Sequence, residues 1–356
     1  MKHFPEQQGL VYYNQEAWNI FTNYLAELKN VQLFIIVDEN TKKYCLPYFL
    51  KKITSENVIT TITFPAGEIF KNLETCVNVW NTLSEKGADR ASLIINLGGG
   101  VVTDLGGFVA STFKRGLRFI NVPTTLLAMV DASVGGKNGI DLGYIKNQIG
   151  VISLPEMVIL DIEFLKTLPA EHLTSGLAEM LKHGLIHSTA AWERIKNINL
   201  EDSLALEELI KESVIIKGEI VAKDPLEKNI RKSLNYGHTL GHAIESYFLE
   251  KEEKTTLLHG EAIAIGIILA SYISVKLAGF QKADLEEVTS TILKHFSKQS
   301  FTQKDIDEII KLLVFDKKNS NGQVLFVLLE NIGHPRFNCT VNNELIFKAF
   351  DYYKNF

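Results

Sequence analysis

The chain has 356 residues, 46% apolar and 22% charged, and 37 Lys+Arg against 42 Asp+Glu leave a net charge of −5. This composition excludes a disordered, collagen-like or disulfide-scaffold chain, and it lacks the basic excess that a nucleic-acid backbone demands. The length allows about two domains. In chain order, residues 33–37 (LFIIV) and 92–97 (SLIINL) both read as strands buried on both faces. Residues 119–122 and 157–160 are shorter strand candidates, and helical periodicity covers 72–86 and 104–112. This alternation predicts an α/β domain with a parallel sheet over residues 1–165. From 166 to 356 the pattern changes: helices are expected at 171–186, 205–224, 238–249, 260–277 and 283–296, with one strand at 324–329. The second domain is therefore expected to be mainly α-helical. The boundary falls in 161–169, where Pro169 suits the first turn of a new helix.

The longest apolar run, 262–275, is shorter than the roughly 20 residues of a membrane span and reads as a core helix. Residues 250–254 mix acids and bases and read as a solvated loop. Residues 1–10 carry no apolar signal core and no Arg-rich amphipathic pattern. The three cysteines, Cys45, Cys76 and Cys339, have neither metal-ligand nor redox spacing. They read as reduced thiols, and the expected location is cytoplasmic, with no membrane partner.

Three groups of residues carry chemistry. Gly98, Gly99 and Gly100 follow a predicted strand and open a predicted helix that continues through Val101, Val102, Thr103 and Asp104. Such a turn either cradles a dinucleotide pyrophosphate at a helix N-terminus or is a tight strand-to-helix connection without a ligand. The spacing is not the usual G-x-G-x-x-G. Asp38, at the end of the first predicted strand, suits either a ribose hydroxyl or a helix cap.

The second group is built on two of the nine histidines, His238 and His242. Their i, i+4 spacing puts both rings on one helix face, a common geometry for metal ligands, though hydrogen-bonded core histidines share it. His259 opens the apolar helix, and Glu179 is a carboxylate in an apolar helix, where it needs a partner. Glu179 with histidines makes an N/O donor set suited to Zn²⁺. By spacing alone, both His238 and His242 are expected as ligands. The third group is basic: Lys137, Lys146, Lys182, Lys217, Arg231 and the pair Lys317–Lys318. Each alone suits a solvated surface; together they suit a substrate with two anionic groups.

These stretches, read together, resemble the 3-dehydroquinate synthase family of sugar-phosphate cyclases. The matching motifs are GEIFK at 67–71, GGGVVTDLGGFVAS at 98–111, FKRG at 113–116, VPTTLLAMVDASVGGK at 122–137 and KNQIG at 146–150. They continue with FLKTLP at 164–169, GLAEMLKHG at 176–184, RKSLNYGHTLGHAIE at 231–245, HGEA at 259–262 and DKKNSNG at 316–322. They follow the family's order over nearly the whole chain.

The resemblance implies a nucleotide-binding α/β domain followed by a helical metal- and substrate-binding domain. It implies conversion of 3-deoxy-D-arabino-heptulosonate 7-phosphate to 3-dehydroquinate and phosphate, a step of the shikimate pathway toward aromatic amino acids. The route it implies is transient oxidation by NAD, phosphate elimination, re-reduction and an intramolecular aldol closure. It also implies a divalent metal, Zn²⁺ or Co²⁺, and a homodimer.

By motif match, the implied metal ligands are Glu179, His238 and His259, which turns His242 into a proton-transfer residue. The implied NAD site comprises Asp38, Asn40, Ala66, Gly67, Glu68, Ile69, Phe70, Lys71, Gly99, Gly100, Val101, Val102, Thr103, Asp104, Thr124, Thr125, Lys137, Lys146, Phe164, Leu165, Lys166 and Thr167. Lys217 and Arg231 match the carboxylate holders. Lys137, Asn147, Lys182, Asn235 and His242 match a phosphate pocket that Arg115 of a neighbouring subunit enters. Asp131 and Glu227 fall at further active-site positions, and one of Lys317 and Lys318 matches a family lysine.

Residues 138–145 lack the histidine-proline expected before Lys146, and the loop between His242 and His259 is longer than usual. The alternatives are another sugar-phosphate cyclase and an iron-dependent polyol dehydrogenase. The dehydrogenase has no use for Lys137, Lys182, Lys217 and Arg231 together.

Overall fold

A computed structural model describes residues 10–53, 57–251, 257–313 and 324–356. The chain divides into two compact units, Met1–Leu173 and Thr174–Phe356.

The first unit runs Leu10–Tyr13 (β1), Asn14–Glu27 (α1), Leu33–Asp38 (β2), Glu39–Tyr44 (α2), Leu46–Lys52 (α3), Ile59–Phe64 (β3) and Leu73–Glu85 (α4). It continues with Leu93–Gly98 (β4), Gly100–Thr112 (α5), Arg118–Pro123 (β5), Lys137–Leu142 (β6), Ile145–Ile152 (β7) and Met157–Leu160 (β8). Six strands form one sheet in the order β1-β8-β5-β4-β2-β3, and every neighbouring pair is parallel. The apolar runs of β2, β4 and β8 are buried along nearly their whole length, as a sheet covered on both faces requires. From β2 the chain moves to β3 on one side and then returns to β4 on the other. The carboxyl ends of β2 and β4 therefore flank a topological switch point, the place where open α/β sheets bind ligands.

Beside the sheet, β6 and β7 form an antiparallel hairpin. It lies close against α5 because Gly107 has no side chain: a Cβ there would stand 2.0 Å from Asn138 Oδ1. Asn138 in turn donates to the carbonyls of Gly136 at 3.0 Å and Ser153 at 2.7 Å, closing the base of the hairpin.

The second unit contains Ala170–His187 (α6, whose first turn precedes the division), Thr189–Ile195 (α7), Ser203–Lys223 (α8), His238–Glu250 (α9), His259–Leu277 (α10), Lys282–His295 (α11), Gln303–Leu312 (α12) and Asn343–Asn355 (α13). Between α12 and α13 lies the antiparallel pair Leu325–Asn331 (β9) and His334–Thr340 (β10). The second strand of this pair departs from the single strand expected from sequence. Its residues alternate between exposed and half-buried and include Pro335, with register shifts on both sides of 335–336, so it carries no continuous apolar signal. Among the described residues, α10 alone is long and apolar enough to cross a membrane, and 72% of its most apolar window is buried. It is a core helix. Residues 252–254 of the expected solvated loop lie outside the described residues.

Glycines set how closely the helices of this unit approach. A Cβ on Gly266 of α10 would lie 2.1 Å from the Gly237 carbonyl, and one on Gly241 of α9 would lie 2.7 Å from Ile263. At the start of α10, a Cβ on Gly260 would lie 1.9 Å from the Ser175 carbonyl, and the Gly260 N–H donates to Ser175 Oγ at 2.9 Å. So α9 packs against α10, and the first turn of α10 packs against α6, at main-chain distance.

Candidate active site

In the first unit, Asp38, Asn40, Gly99–Asp104, Thr124 and Thr125, all assigned to a nucleotide from the sequence, lie at the carboxyl ends of β2, β4 and β5. Asp38 ends β2 and caps α2, accepting from the Thr41 N–H at 2.7 Å; Asn40 lies in the first turn of that helix. Gly99 precedes α5 as its N-cap residue and offers no side chain to the first N–H groups. The three glycines answer different demands. Gly98 is required by the fold, since a Cβ would come within 2.4 Å of Val102. Gly100 is not, because its Cβ would meet only Ala132, at 3.5 Å. A bare backbone at a helix N-terminus that packing does not require is a cradle for a phosphate approaching the main chain. Beside it, the Thr124 N–H donates to the Gly98 carbonyl at 2.9 Å, and Thr125 Oγ1 accepts from Ala128.

A second cluster joins the 66–71 segment to the hairpin. Lys71, 5% exposed, donates to Asp104 Oδ2 at 2.6 Å and to Asn147 Oδ1 at 2.8 Å. Lys146 donates to Asp141 Oδ2 at 2.9 Å and also contacts Glu68. Asp141 further accepts from the Asn147 N–H at 2.6 Å, which holds Asn147 at a φ of +53°. Burial by itself would lower the Lys71 pKa, but the carboxylates of Asp104, Glu68 and Asp141 outweigh it and hold the ammonium protonated, above its ordinary range. Two lysines among three carboxylates leave acceptor oxygens, suited to ribose hydroxyls, and little spare positive charge. Ala66, Gly67, Ile69 and Phe70 form the short turn leading into Lys71, with Gly67 at φ +125°.

Phe164, Leu165, Lys166 and Thr167 lie in the 3₁₀ segment Ile162–Thr167, anchored by Asp161, which accepts from Trp18 Nε1 at 2.6 Å and from the Tyr48 hydroxyl at 2.7 Å. The buried Cys45 thiol lies against the Thr124 and Thr167 hydroxyls, and burial pushes its pKa up to about 11. Lys137 opens β6 and Asp131 lies in the turn 128–132, both half-buried. Arg115 lies in a connection where Lys114, Arg115 and Gly116 have φ of +47°, +73° and +115°.

In the second unit, α6, α9 and α10 bring Glu179, His238, His242 and His259 together. Glu179 is fully buried. Its Oε1 lies 3.3 Å from His238 Nε2 and 3.6 Å from His259 Nε2, and it has no hydrogen-bond partner. Its Oε2 accepts from Lys182, which is 1% exposed. One ring nitrogen from each of His238, His242 and His259 falls within 4.8 Å of the others.

The far nitrogens explain which ring atoms face inward. His238 Nδ1 lies 3.1 Å from the Tyr236 carbonyl and His259 Nδ1 lies 2.9 Å from Glu245 Oε2. Acceptors at Nδ1 turn the Nε2 atom of each ring toward Glu179, the arrangement that metal-binding histidines use. A tetrahedral Zn²⁺ with bonds of about 2.1 Å separates its ligand atoms by about 3.4 Å. The 3.3 and 3.6 Å separations and the orphaned buried oxygen fit such an ion. Burial raises the Glu179 pKa, but Lys182 and His238 outweigh it and hold the carboxyl well below its usual range. Burial lowers that of His259, yet Glu245 and Glu179 raise it overall to about 10.

Of the remaining predicted residues of this unit, Lys217, Arg231 and Asn235 are buried and Glu227 is half-buried. Lys217 projects from α8, Arg231 and Asn235 from the 3₁₀ segment Ile230–Asn235, and Asn235 Nδ2 donates to Glu227 Oε1 at 2.7 Å. Lys317 and Lys318 lie outside the described residues. Sequence reasoning missed Asp141 and Glu245. Glu245 carried a signal, being one helical turn after His242 on α9; Asp141 acts through contacts to Lys146 and Asn147 that spacing does not reveal.

The model of the 3-dehydroquinate synthase N-terminal region matches residues 61–175, and that of the C-terminal region matches 176–319. A 3-dehydroquinate synthase from Parabacteroides distasonis is 42% identical over 334 residues, 93% of this chain and 94% of that one. The chain belongs to the 3-dehydroquinate synthase family. A second 3-dehydroquinate synthase, from Helicobacter pylori, is 36% identical over 97% of this chain and 99% of its own. Among solved structures, a 2-deoxy-scyllo-inosose synthase complexed with carbaglucose-6-phosphate, NAD⁺ and Co²⁺ superposes with a TM-score of 0.82 and 26% identity, covering 98% of each chain. This chain has a parallel-sheet α/β unit and a mainly helical unit, the fold class expected from sequence.

Proposed function

We propose that this chain converts 3-deoxy-D-arabino-heptulosonate 7-phosphate to 3-dehydroquinate and phosphate. The observation that carries the reading is Glu179 Oε1, buried without a hydrogen bond and faced by His238 Nε2 and His259 Nε2, in a unit that also buries Lys182, Lys217 and Arg231. Glu179, His238 and His259 hold a divalent ion, Zn²⁺ or Co²⁺, while the Gly99–Asp104 turn, Asp38 and the Lys71–Asp104–Lys146 cluster hold NAD. When bound, NAD⁺ takes and returns a hydride at one substrate carbon, and the metal lowers the pKa of the hydroxyl on that carbon.

The chain's own residues supply the rest. His242 accepts the hydroxyl proton, directly or by relay. Its position one helical turn from His238, with ring centroids 5.0 Å apart, supports this role beside the metal ligands. Arg231 and Lys217 hold the substrate carboxylate by charge-assisted hydrogen bonds. Lys137, Asn147, Lys182, Asn235 and His242 receive the phosphate. Arg115 of one protomer completes the pocket of its partner in a homodimer. Asp131, Glu227 and one of Lys317 and Lys318 complete the active-site set. Elimination of phosphate requires a carbon acid made acidic by an adjacent ketone, and holding the ring-opened intermediate in one conformation favours its aldol closure. A polyol dehydrogenase needs no carboxylate clamp, so Lys217 and Arg231 favour the cyclase.

The family's substrate is a phosphorylated sugar acid, with no nucleic acid or membrane involved. The free cysteines Cys45, Cys76 and Cys339 suit a reducing compartment, the cytoplasm. The testing experiment is phosphate release from the heptulosonate phosphate. Release that stops on chelation and returns with Zn²⁺ or Co²⁺ supports the reading; no release from the metal- and NAD-loaded chain contradicts it.

A further inference from the structure

We propose that Asp224 is the positioning residue that sets Arg231 and Glu227 in place for the carboxylate end of the substrate. The proposal rests on the carboxylate-clamp reading given above. It concerns a residue to which neither a motif nor that reading gives a role.

Asp224 ends α8 as its C-cap residue and is 7% exposed. A carboxylate there faces the negative end of the helix dipole, an unfavourable place unless other donors hold it. They come from the segment that follows. Asp224 Oδ1 accepts from the Lys228 N–H at 2.9 Å, and Oδ2 accepts from Asn229 at 2.6 Å and Arg231 at 3.1 Å. Its carbonyl also accepts from the Glu227 N–H at 3.2 Å. One residue therefore organises the main chain of the whole 225–231 segment.

Both functional side chains leave from that wrapped segment. Glu227 is held at φ +58°, a conformation that glutamate seldom adopts. From there its carboxylate accepts from Asn235 at 2.7 Å. Arg231, 1% exposed, donates from Nη1 to the Pro225 carbonyl at 2.7 Å, so its guanidinium is tied to the residue next to Asp224. A guanidinium fixed before the anion arrives loses less freedom on binding it. Burial works against ionisation of Asp224, but the three N–H groups and the Arg231 charge outweigh it and hold the carboxyl below its ordinary pKa. The acceptor thus stays an anion with full strength toward its donors.

The test uses the full chain loaded with NAD⁺ and Zn²⁺. Two ligands that cannot eliminate phosphate are titrated, each with a methylene in place of the bridging phosphate oxygen: the heptulosonate phosphonate and its counterpart with a primary amide in place of the carboxylate. The ratio of their dissociation constants is the carboxylate discrimination. Arg231→Ala abolishes it if the clamp is correctly placed. Asp224→Asn then lowers it about tenfold, the scale of one misdirected charged hydrogen bond. Asp224→Glu also lowers it, since it keeps the charge but displaces the oxygens by a methylene. If Arg231→Ala abolishes discrimination while both Asp224 variants keep it, the positioning role is overturned and the clamp stands. If the Asp224 variants weaken acid and amide equally, or neither folds by circular dichroism, Asp224 is a structural residue and the proposal is overturned. If Arg231→Ala itself keeps wild-type discrimination, the carboxylate reading falls and the proposal with it.

Discussion

Glu179 Oε1 on α6 and His238 Nε2 on α9 face each other across 3.3 Å, and Glu179 is fully buried. The histidine's other nitrogen is already turned to the Tyr236 carbonyl. A carboxylate and an imidazole nitrogen buried this close are joined by a cation, a proton in the metal-free chain or a divalent metal that replaces it. Glu179→Gln therefore loses divalent metal: the amide is a poor ligand, and affinity falls by a hundredfold or more. Competition with a chelator of known affinity measures it. His242→Asn is expected to keep the metal, and loss of metal in that variant transfers the ligand role to His242.

Removing the partner behind a ligand has a smaller effect. Glu245 receives His259 Nδ1 at 2.9 Å, so Glu245→Gln keeps the ligand set but weakens its orientation and basicity. A loss of about 10–100-fold in metal affinity is expected, the usual scale for such partners. Metal titration followed by thermal unfolding checks it, since an unchanged apo-protein with weaker metal binding separates this effect from misfolding.

Metal uptake is also linked to pH. In the metal-free chain the pKa of His259 stands at about 10, because Glu245 and Glu179 outweigh burial. Its raised value means the ring is protonated at neutral pH, and a metal must displace that proton. Affinity therefore rises as pH increases toward 10 and falls as it decreases. Calorimetry in buffers of different ionisation enthalpy should show proton release on binding; proton uptake contradicts the assignment.

The glycine at the start of α10 is testable through the same readout. A Cβ at Gly260 would lie 1.9 Å from the Ser175 carbonyl, main chain against side chain, with no flexible group to yield. Gly260→Ala is expected to push His259 away from Glu179, costing about 1–3 kcal/mol of stability and weakening metal binding. Unfolding midpoints with and without metal measure both; unchanged values show that the α6–α10 approach does not set the site.

Much of this architecture is legible in the sequence. The largely apolar runs of β2, β4 and β8 announce a covered parallel sheet, and Glu179 in an apolar helix announces a partner it must have. The edge strand Ile59–Phe64 is not legible by the same reasoning, because its threonines alternate between faces and leave no continuous apolar run. The Lys137–Ile152 hairpin hides behind glycine, asparagine and aspartate, residues that read as loop until α5 packs against them. In the site, spacing alone pairs His238 with His242, since both share a helix face. The decisive contacts join different helices, through Glu179, Tyr236 and Glu245, and periodicity within one helix carries no record of them. Asp224 is hidden for a related reason: its function is to gather main-chain N–H groups, and no motif marks those.

The central claim is that the hydride removed from the substrate returns to it within one chain. The direct measurement follows conversion of heptulosonate phosphate deuterated at the oxidised carbon, with NAD⁺ far below the substrate concentration. The account predicts complete conversion, phosphate released in step with dehydroquinate, no accumulating reduced nicotinamide, and the deuterium back on the same carbon. Stoichiometric NADH, or deuterium lost to free nucleotide, contradicts the cyclase and identifies a dehydrogenase.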